Sequence, residues 1–234
     1  MYSDVFCKVY NELGWNYYPE VFAQQLLQWL EQKGLRPEAS LDLGCGTGIL
    51  CRILSQAGIC ASGMDYSEGM IQIAREADPE GSYDVADMVT YRPEKMFDLV
   101  TCTGDALNHI APLENIRSIF RNVHESLRGG GWLIFDLLNR NEISNGEPFE
   151  MDFSETTRVW FQMTCPETNQ VNLKIRVFEA GNLAFEENIR EWVYDPEEIC
   201  RILRECGFRV AQCGDRLLEN GTPGTTWFIA AEKI

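Results

Sequence analysis

The sequence predicts an α/β fold: a parallel sheet covered by helices on both faces, with a small antiparallel sheet inserted late in the chain. Three observations predict it. Short apolar segments alternate with amphipathic helical ones from Ser40 to Leu137, as strands buried on both faces do. One junction, Leu41-Asp42-Leu43-Gly44-Cys45-Gly46-Thr47-Gly48, reads as a strand that runs into a glycine-rich turn and opens a helix. Between about residues 147 and 194 the rhythm changes to period two, clearest in Val171, Leu173, Ile175 and Val177, the mark of an antiparallel sheet with one covered face.

The elements follow in order. An opening helix starts at Ser3 or Asp4 as N-cap and ends near Gly14. After the aromatic stretch Trp15 to Tyr18, Pro19 starts a second helix, since proline suits the first helical position. Val21, Phe22, Leu26, Leu27, Trp29 and Leu30 form its apolar stripe, and Gly34 closes it. Ser40 to Leu43 is the first strand and Gly48 to Ala57 its helix. Ile59 to Asp65 is the second, followed by a helix capped by Ser67 with Met70, Ile71 and Ala74 facing inward. Tyr83 to Ala86 is a short strand and Phe97 to Cys102 a firm one. Leu113 to Leu127 forms an amphipathic helix closed by Gly129 to Gly131, and Trp132 to Leu137 is a continuously apolar strand. Turns in the inserted region fall at Pro166 to Asn169 and Gly181-Asn182. Helix returns over Pro196 to Cys206, followed by strands Phe208 to Cys213 and Thr225 to Glu232. The 234 residues thus divide as one domain, with a helical cap over 1–34 and an inserted sheet over 140–194.

Composition narrows the function. The net charge is −16, with 36 acidic against 20 basic residues and no cluster of Lys and Arg. Nucleic acids and anionic membranes are bound through such clusters, so neither is an expected partner. The first ten residues lack a secretory pattern, and no apolar run reaches the length of a bilayer span. Nine scattered cysteines without a C-x-x-C pair, beside two histidines, exclude a disulfide framework and a zinc site. The expectation is a cytoplasmic protein without a metal.

The glycine turn carries the chemistry. Its spacing is G-x-G-x-G rather than the dinucleotide G-x-G-x-x-G, and Asp42 stands two residues ahead of Gly44. A carboxylate there repels a pyrophosphate but holds an ammonium group. The turn therefore suits a nucleotide-like ligand with an amino-acid end.

Four segments, LDLGCGTG, GMDYSEGMIQIA, VADM and FDLVTCTGDALNHI, resemble in order the motifs of the class I S-adenosylmethionine-dependent methyltransferases, and LRGGGWLIFDLL is similar to the strand that follows them. The resemblance runs from about Ser40 to Asn139 and resumes at the C-terminal helix and two strands. It implies a Rossmann-like doubly wound sheet of seven strands, the last antiparallel, and S-adenosyl-L-methionine as cofactor. Gly44, Cys45, Gly46 and Gly48 would approach its methionine part, with Asp42 toward the ammonium group. Asp65, at the end of the second strand, would accept the ribose hydroxyls; the alternative for it is a helix cap. Tyr66 and Met70 would sandwich the adenine, Met70 being equally suited to core packing. Asp87 and Met88 would meet the adenine edge. Tyr18, Cys102, Thr103, Gly104 and Asn108 complete the expected cofactor set around the reacting methyl group.

VYNEL followed by YYPEV looks like the entry of a small-molecule subgroup that includes amino-sugar N-methyltransferases. In that subgroup a tyrosine near the N-terminus and a histidine after the fourth strand frame the acceptor. The matching positions are Tyr10, with Tyr17 or Tyr18 nearby, and His109, a residue that titrates near neutral pH. Core packing is the alternative for Tyr10, and a backbone-bonded histidine the alternative for His109. The inserted sheet, with Trp160, Phe161, Met163, Phe178 and Trp192, would roof the acceptor pocket, and Arg158, Arg176 and Arg190 could bind an acidic acceptor. The expected reaction is methyl transfer to a small molecule, an amine first and an oxygen second, by a monomer or homodimer. The rival readings are a non-catalytic S-adenosylmethionine-binding protein and an NAD-dependent dehydrogenase.

Overall fold

The computed structural model describes residues 2–143, 146–167, 169–218 and 226–234. Two helices, α1 (Asp4–Val9) and α2 (Tyr17–Lys33), precede β1 (Ala39–Leu43). Then come α3 (Ile49–Gln56), β2 (Cys60–Asp65), α4 (Glu68–Ala77), β3 (Ser82–Val85), β4 (Phe97–Cys102), α5 (Leu113–Ser126) and β5 (Leu127–Leu138). The antiparallel strands β6 (Phe149–Asp152), β7 (Thr157–Glu167), β8 (Gln170–Glu179) and β9 (Asn182–Trp192) follow. The chain closes with α6 (Pro196–Glu205), β10 (Phe208–Gly214) and β11 (Thr226–Lys233).

Seven strands form one sheet in the order β10-β11-β5-β4-β1-β2-β3, and the other four form a second sheet in sequence order. Strands β1 to β5 run parallel, while β11 lies antiparallel to both β5 and β10. The order of strands reverses at β1 and β4, where β1 pairs with β2 on one side and β4 on the other. Such a switch point leaves a crevice beyond the carboxyl ends of the strands, and it is there that open α/β sheets bind ligands.

One core packs α5 and α6 against the sheet through Ile116, Phe120, Ile199, Leu203 and Phe135. The opposite face is covered by Phe22, Leu26 and Trp29 of α2 with Leu50 and Leu54 of α3. A third cluster joins the N-terminus to the second sheet: Phe6 and Leu13 pack on Val159, Ile175, Val177 and Ile189. Ser3 fastens this junction, donating from its N–H and hydroxyl to Glu187 Oε2 at 3.1 and 2.6 Å.

Several boundaries differ from the sequence expectation. Helix α1 stops at Val9, and residues 10–16 form successive turns rather than helix. Helix α2 starts at Tyr17, so Pro19 takes the third helical position, where its missing N–H still has no intrahelical partner to lose. Strand β5 begins at Leu127 and takes in Gly129 to Gly131 as an irregularity: Leu127 pairs with Phe97 and Trp132 with Leu99, the register shifts between them, and Gly130 turns at φ +77°. The expected turn residue Thr168 and the expected strand start Thr225 lie outside the described residues.

Candidate active site

A cleft of about 840 Å³ opens at the switch point, large enough for a nucleotide-sized ligand beside a small second molecule. Its floor is the glycine turn. Gly44, Gly46 and Gly48 adopt φ of +73°, +54° and +75°, conformations that cost an L-residue about 1 kcal/mol or more. Their surroundings separate them. A Cβ on Gly44 would sit 2.8 Å from the Ala106 Cβ, and one on Gly48 would strike the Tyr83 ring at 2.8 Å. A Cβ on Gly46 would meet nothing within 4 Å, and Gly46 borders the cleft. Gly48 does not: its lack of a side chain admits Tyr83 and Ala74, and so brings β3 and α4 against the turn.

Two carboxylates flank the floor. Asp42 is only 4% exposed and accepts a hydrogen bond from Thr101 Oγ1 at 2.7 Å. Burial pushes its carboxyl up to about 7, against the pull of that bond. Asp65 accepts from the Gly46 N–H at 2.9 Å and the Ser67 N–H at 2.8 Å, one bond to each oxygen. Burial raises its carboxyl and these N–H groups hold it down. The cap of α4 is Ser67, whose hydroxyl accepts from the Met70 N–H. Asp65 therefore ties the glycine turn to the end of β2; the Tyr66 N–H also acts on this carboxylate, which keeps acceptor capacity beyond these three donors. Beyond it, Tyr66 stands 58% exposed at the rim while Met70 is fully buried beneath, and both border the cleft with Cys45, Asp87 and Met88. The Asp87 carboxylate accepts from the Val89 N–H at 2.9 Å.

The segment leaving β4 forms the far wall. Gly104 and Asp105 both have positive φ, +71° and +60°. They are held there by Asp136, fully buried on β5, which accepts from the Gly104 N–H at 3.1 Å and the Asp105 N–H at 3.0 Å. Tyr18 donates its hydroxyl to the same carboxylate. Thr103, Gly104, Asp105 and Tyr18 border the cleft. Cys102 does not, being 1% exposed within the core under α5. Asn108 also lies off the cleft and fully buried: it donates to the Trp192 carbonyl at 2.6 Å and accepts from the Leu138 N–H at 3.2 Å. Its amide joins the second sheet to the end of β5.

His109 closes the turn Ala106–His109 and faces the cleft. Its Nε2 lies 3.4 Å from the Tyr2 hydroxyl and 3.6 Å from Glu191 Oε1, and the ring also contacts the Arg190 backbone. Burial pushes the imidazole down to about 4 and the Glu191 carboxyl up to about 7. Both shifts favour uncharged forms, so the ring presents a free lone pair at neutral pH. Tyr10 stacks on Trp15 at 5.6 Å, and both border the cleft. Tyr10 and His109, 99 positions apart in the chain, thus share one end of the cavity with Tyr2.

The second sheet supplies the remaining wall, chiefly from β9, with Glu187, Ile189, Glu191 and Trp192 lining it beside Met163 and Leu173. Trp160, Phe161 and Phe178 do not line it; Arg176 covers the Trp160 ring and Phe161 packs on Phe149 and Trp15. Arg158 is paired with Asp152 and Glu150, and Arg176 with Glu186, on the sheet surface. Only Arg190 of the three expected arginines reaches the cleft.

Sequence reasoning did not find Tyr2, Asp136, Glu187 or Glu191. A signal for the two glutamates exists in the register: Glu187 and Glu191 pair with Ile175 and Val171, on the apolar side of β8. A carboxylate on the covered face of a strand is costly without a partner or a task.

A family profile described as a methyltransferase domain matches residues 15–213. A protein of Geobacillus sp. (strain WCH70) named as a methyltransferase is 25% identical over 216 residues, 88% of this chain and 86% of its own. The ubiquinone biosynthesis O-methyltransferase of Bordetella avium (strain 197N) is 33% identical over 123 residues, about half of each chain (49%). Among solved structures, an S-adenosylmethionine-dependent methyltransferase from Clostridium acetobutylicum superposes with a TM-score of 0.79 at 21% identity, covering 90% of both chains. The amino pentose methyltransferase CalS10 from Micromonospora echinaspora, solved with S-adenosylmethionine bound, gives 0.79 at 20% identity over 100% of this chain and 98% of its own. The chain belongs to the methyltransferase domain family and is an S-adenosylmethionine-dependent methyltransferase.

Proposed function

We propose that the protein transfers a methyl group from S-adenosylmethionine to an amine nitrogen of a small molecule. The observation that carries this reading is the single cleft that joins the glycine turn and Asp65 at one end to His109 and Tyr10 at the other. The residues fit the cofactor. Gly46 leaves open space where a backbone can approach a ligand, Asp42 offers a buried carboxylate to an ammonium group, and Asp65 has lone pairs free for ribose hydroxyls. Tyr66 and Met70 flank the adenine position, Asp87 and Met88 meet its edge, and Cys45, Thr103, Gly104 and Tyr18 border the path to the reacting centre. Gly48, Cys102 and Asn108 act behind them through packing and hydrogen bonding.

When bound, the cofactor supplies an electrophilic methyl group on a sulfonium. The chain aligns the acceptor's lone pair and keeps water out. Tyr10, against Trp15, sets the acceptor's position, and the neutral His109 ring accepts a hydrogen bond from its nitrogen and holds it in line. The second sheet, β6 to β9 within the inserted region, roofs the acceptor side, and α1 and α2 cap it. The amino pentose and sugar N-methyltransferases among the similar folds favour nitrogen, and the O-methyltransferase match favours oxygen as the second reading. Among the described residues, no helix is long and apolar enough to cross a membrane. With a net charge of −16, we place the enzyme in the cytoplasm, as a monomer or homodimer acting on small molecules rather than nucleic acid.

The test is calorimetric titration with S-adenosylmethionine and S-adenosylhomocysteine, followed by a methyl-release assay over amines, hydroxy acids and sugars. Binding of both cofactor forms with turnover confined to amines is the expected result. Absence of binding at high micromolar concentrations of both overturns the reading.

A further inference from the structure

Among the described residues, six carboxylates line the cleft, from Asp42, Asp65, Asp87, Asp105, Glu187 and Glu191, against the single guanidinium of Arg190. Their bonding divides them. Asp42, Asp65 and Asp87 lie at the glycine-turn end and each accepts a hydrogen bond. Glu187 is occupied by Ser3. Among the described residues no hydrogen bond reaches the carboxylates of Asp105 or Glu191, whose nearest polar neighbour is His109, and Asp105 Oδ1 is buried without a partner. These two share the acceptor end, Asp105 on the wall leaving β4 and Glu191 on the facing wall from β9.

We infer that Glu191 is the carboxylate that receives the acceptor as an ammonium ion and takes its proton, with Asp105 as the second negative wall. The inference rests on the methyltransferase reading of this cleft. Three features support it. Glu191 Oε1 is 3.6 Å from His109 Nε2, so the two proton-accepting groups of the acceptor end are neighbours. Glu191 emerges on the apolar face of the second sheet opposite Val171, where an ionised carboxylate is stabilised only by a cation or a proton. The aromatic faces of Tyr10 and Trp15 border the same space and favour a cation over a neutral alcohol. His109 and Asp105 face Glu191 from the turn after β4, and Tyr2 from the N-terminal segment.

The step balances simply. The ammonium nitrogen gives a proton to the Glu191 carboxylate, forming an O–H bond and leaving a neutral amine with a free lone pair. That lone pair forms the N–C bond as the C–S bond breaks, and the sulfonium sulfur keeps the electron pair as a neutral thioether. The product is a methylated ammonium ion, which leaves as a cation, and Glu191 then releases its proton to solvent, so one proton is set free per turnover. His109, low in basicity, then accepts a hydrogen bond during the transfer and holds the amine in line, while the proton resides on Glu191.

The experiment uses the full chain saturated with S-adenosylhomocysteine. Cyclohexylamine, protonated at neutral pH, is compared with cyclohexanol by saturation-transfer NMR and calorimetry, in the native protein, E191Q and E191D. We expect the ammonium to bind about tenfold more tightly than the alcohol in the native protein, since a desolvated charge pair outweighs a neutral contact. E191Q should lose that preference and E191D keep most of it. Calorimetry at pH 8 in two buffers of different ionisation enthalpy should show near-zero proton release for the native complex and release in E191Q. Equal binding of amine and alcohol, or an E191Q protein that matches the native one in both preference and proton count, overturns the inference. Failure of S-adenosylhomocysteine to bind in the same samples instead overturns the methyltransferase reading of the cleft, and an unchanged melting temperature in E191Q shows that the fold is not the cause of any loss.

Discussion

Tyr18 and Asp136 are joined across the mouth of the sheet: the α2 hydroxyl donates to a carboxylate that is fully buried on β5. The same carboxylate accepts the Gly104 and Asp105 N–H groups. One side chain therefore holds the N-terminal cap and the strained segment after β4 in a fixed relation. Burial raises the Asp136 carboxyl, and the three donors pull it down.

Removing that acceptor leaves three donors without their partner. Asp136→Ala should destabilise the protein by about 3 kcal/mol, read as a lower urea midpoint with unchanged slope. Asp136→Asn, which keeps an acceptor, should cost about 1 kcal/mol. A loss below about 0.5 kcal/mol for the alanine variant would show that the carboxylate does not organise this junction.

The three glycines of the turn should respond differently to alanine. Gly44→Ala and Gly48→Ala combine an unfavourable φ with contacts at 2.8 Å and should each cost about 2–3 kcal/mol. Gly46→Ala has only the φ to overcome, about 1 kcal/mol, yet its methyl group enters the cleft. Its expected signature is a near-native melting curve with S-adenosylmethionine affinity reduced at least about tenfold. Thermal melts and titrations on the three variants separate the roles.

Asp42 links stability to pH. Its carboxyl lies at about 7 in the folded protein, above its ordinary 3.8, so the folded state binds this proton more tightly than the unfolded chain. The contribution is full below about 3.8, falls as pH rises to about 7, and is gone above that. Asp42→Asn keeps an acceptor for Thr101 and escapes the loss. It should melt higher than the native protein at pH 8, by at most about 4 kcal/mol of stability, and match it near pH 3.5. S-adenosylmethionine should bind this variant more weakly. At pH 7 its binding to the native protein should release part of a proton, and to Asp42→Asn none. Identical melting curves at pH 8 would remove Asp42 from this account.

His109→Ala should lower kcat by about 10²–10⁴-fold with cofactor affinity within about twofold of native, because the ring stands at the acceptor end. Tyr10→Phe should raise KM more than it lowers kcat. Native turnover in His109→Ala would take the imidazole out of the chemistry.

How much of this was legible beforehand follows from which contacts are local. Strand and helix order from Ser40 to Leu137 could be read because a buried parallel strand and an amphipathic helix each announce themselves within a few residues. The glycine turn with Asp42 and Asp65 could be read for the same reason: its conformation is set by neighbours in the chain. Gly48 shows the limit, since its role is set by Tyr83, 35 positions on, pressing against it. Asp136 looked like one more residue of an apolar strand until the fold brought Tyr18 and Gly104 to it. Glu191 drew no reading from the sequence; the register alone places it against Val171 and beside His109. Local backbone preference and side-chain periodicity thus wrote the α/β scaffold and its glycine turn into the chain. The polarity of the cleft around His109 and Glu191 arose from long-range packing, because the energy of a buried charge depends on groups that sequence separation hides.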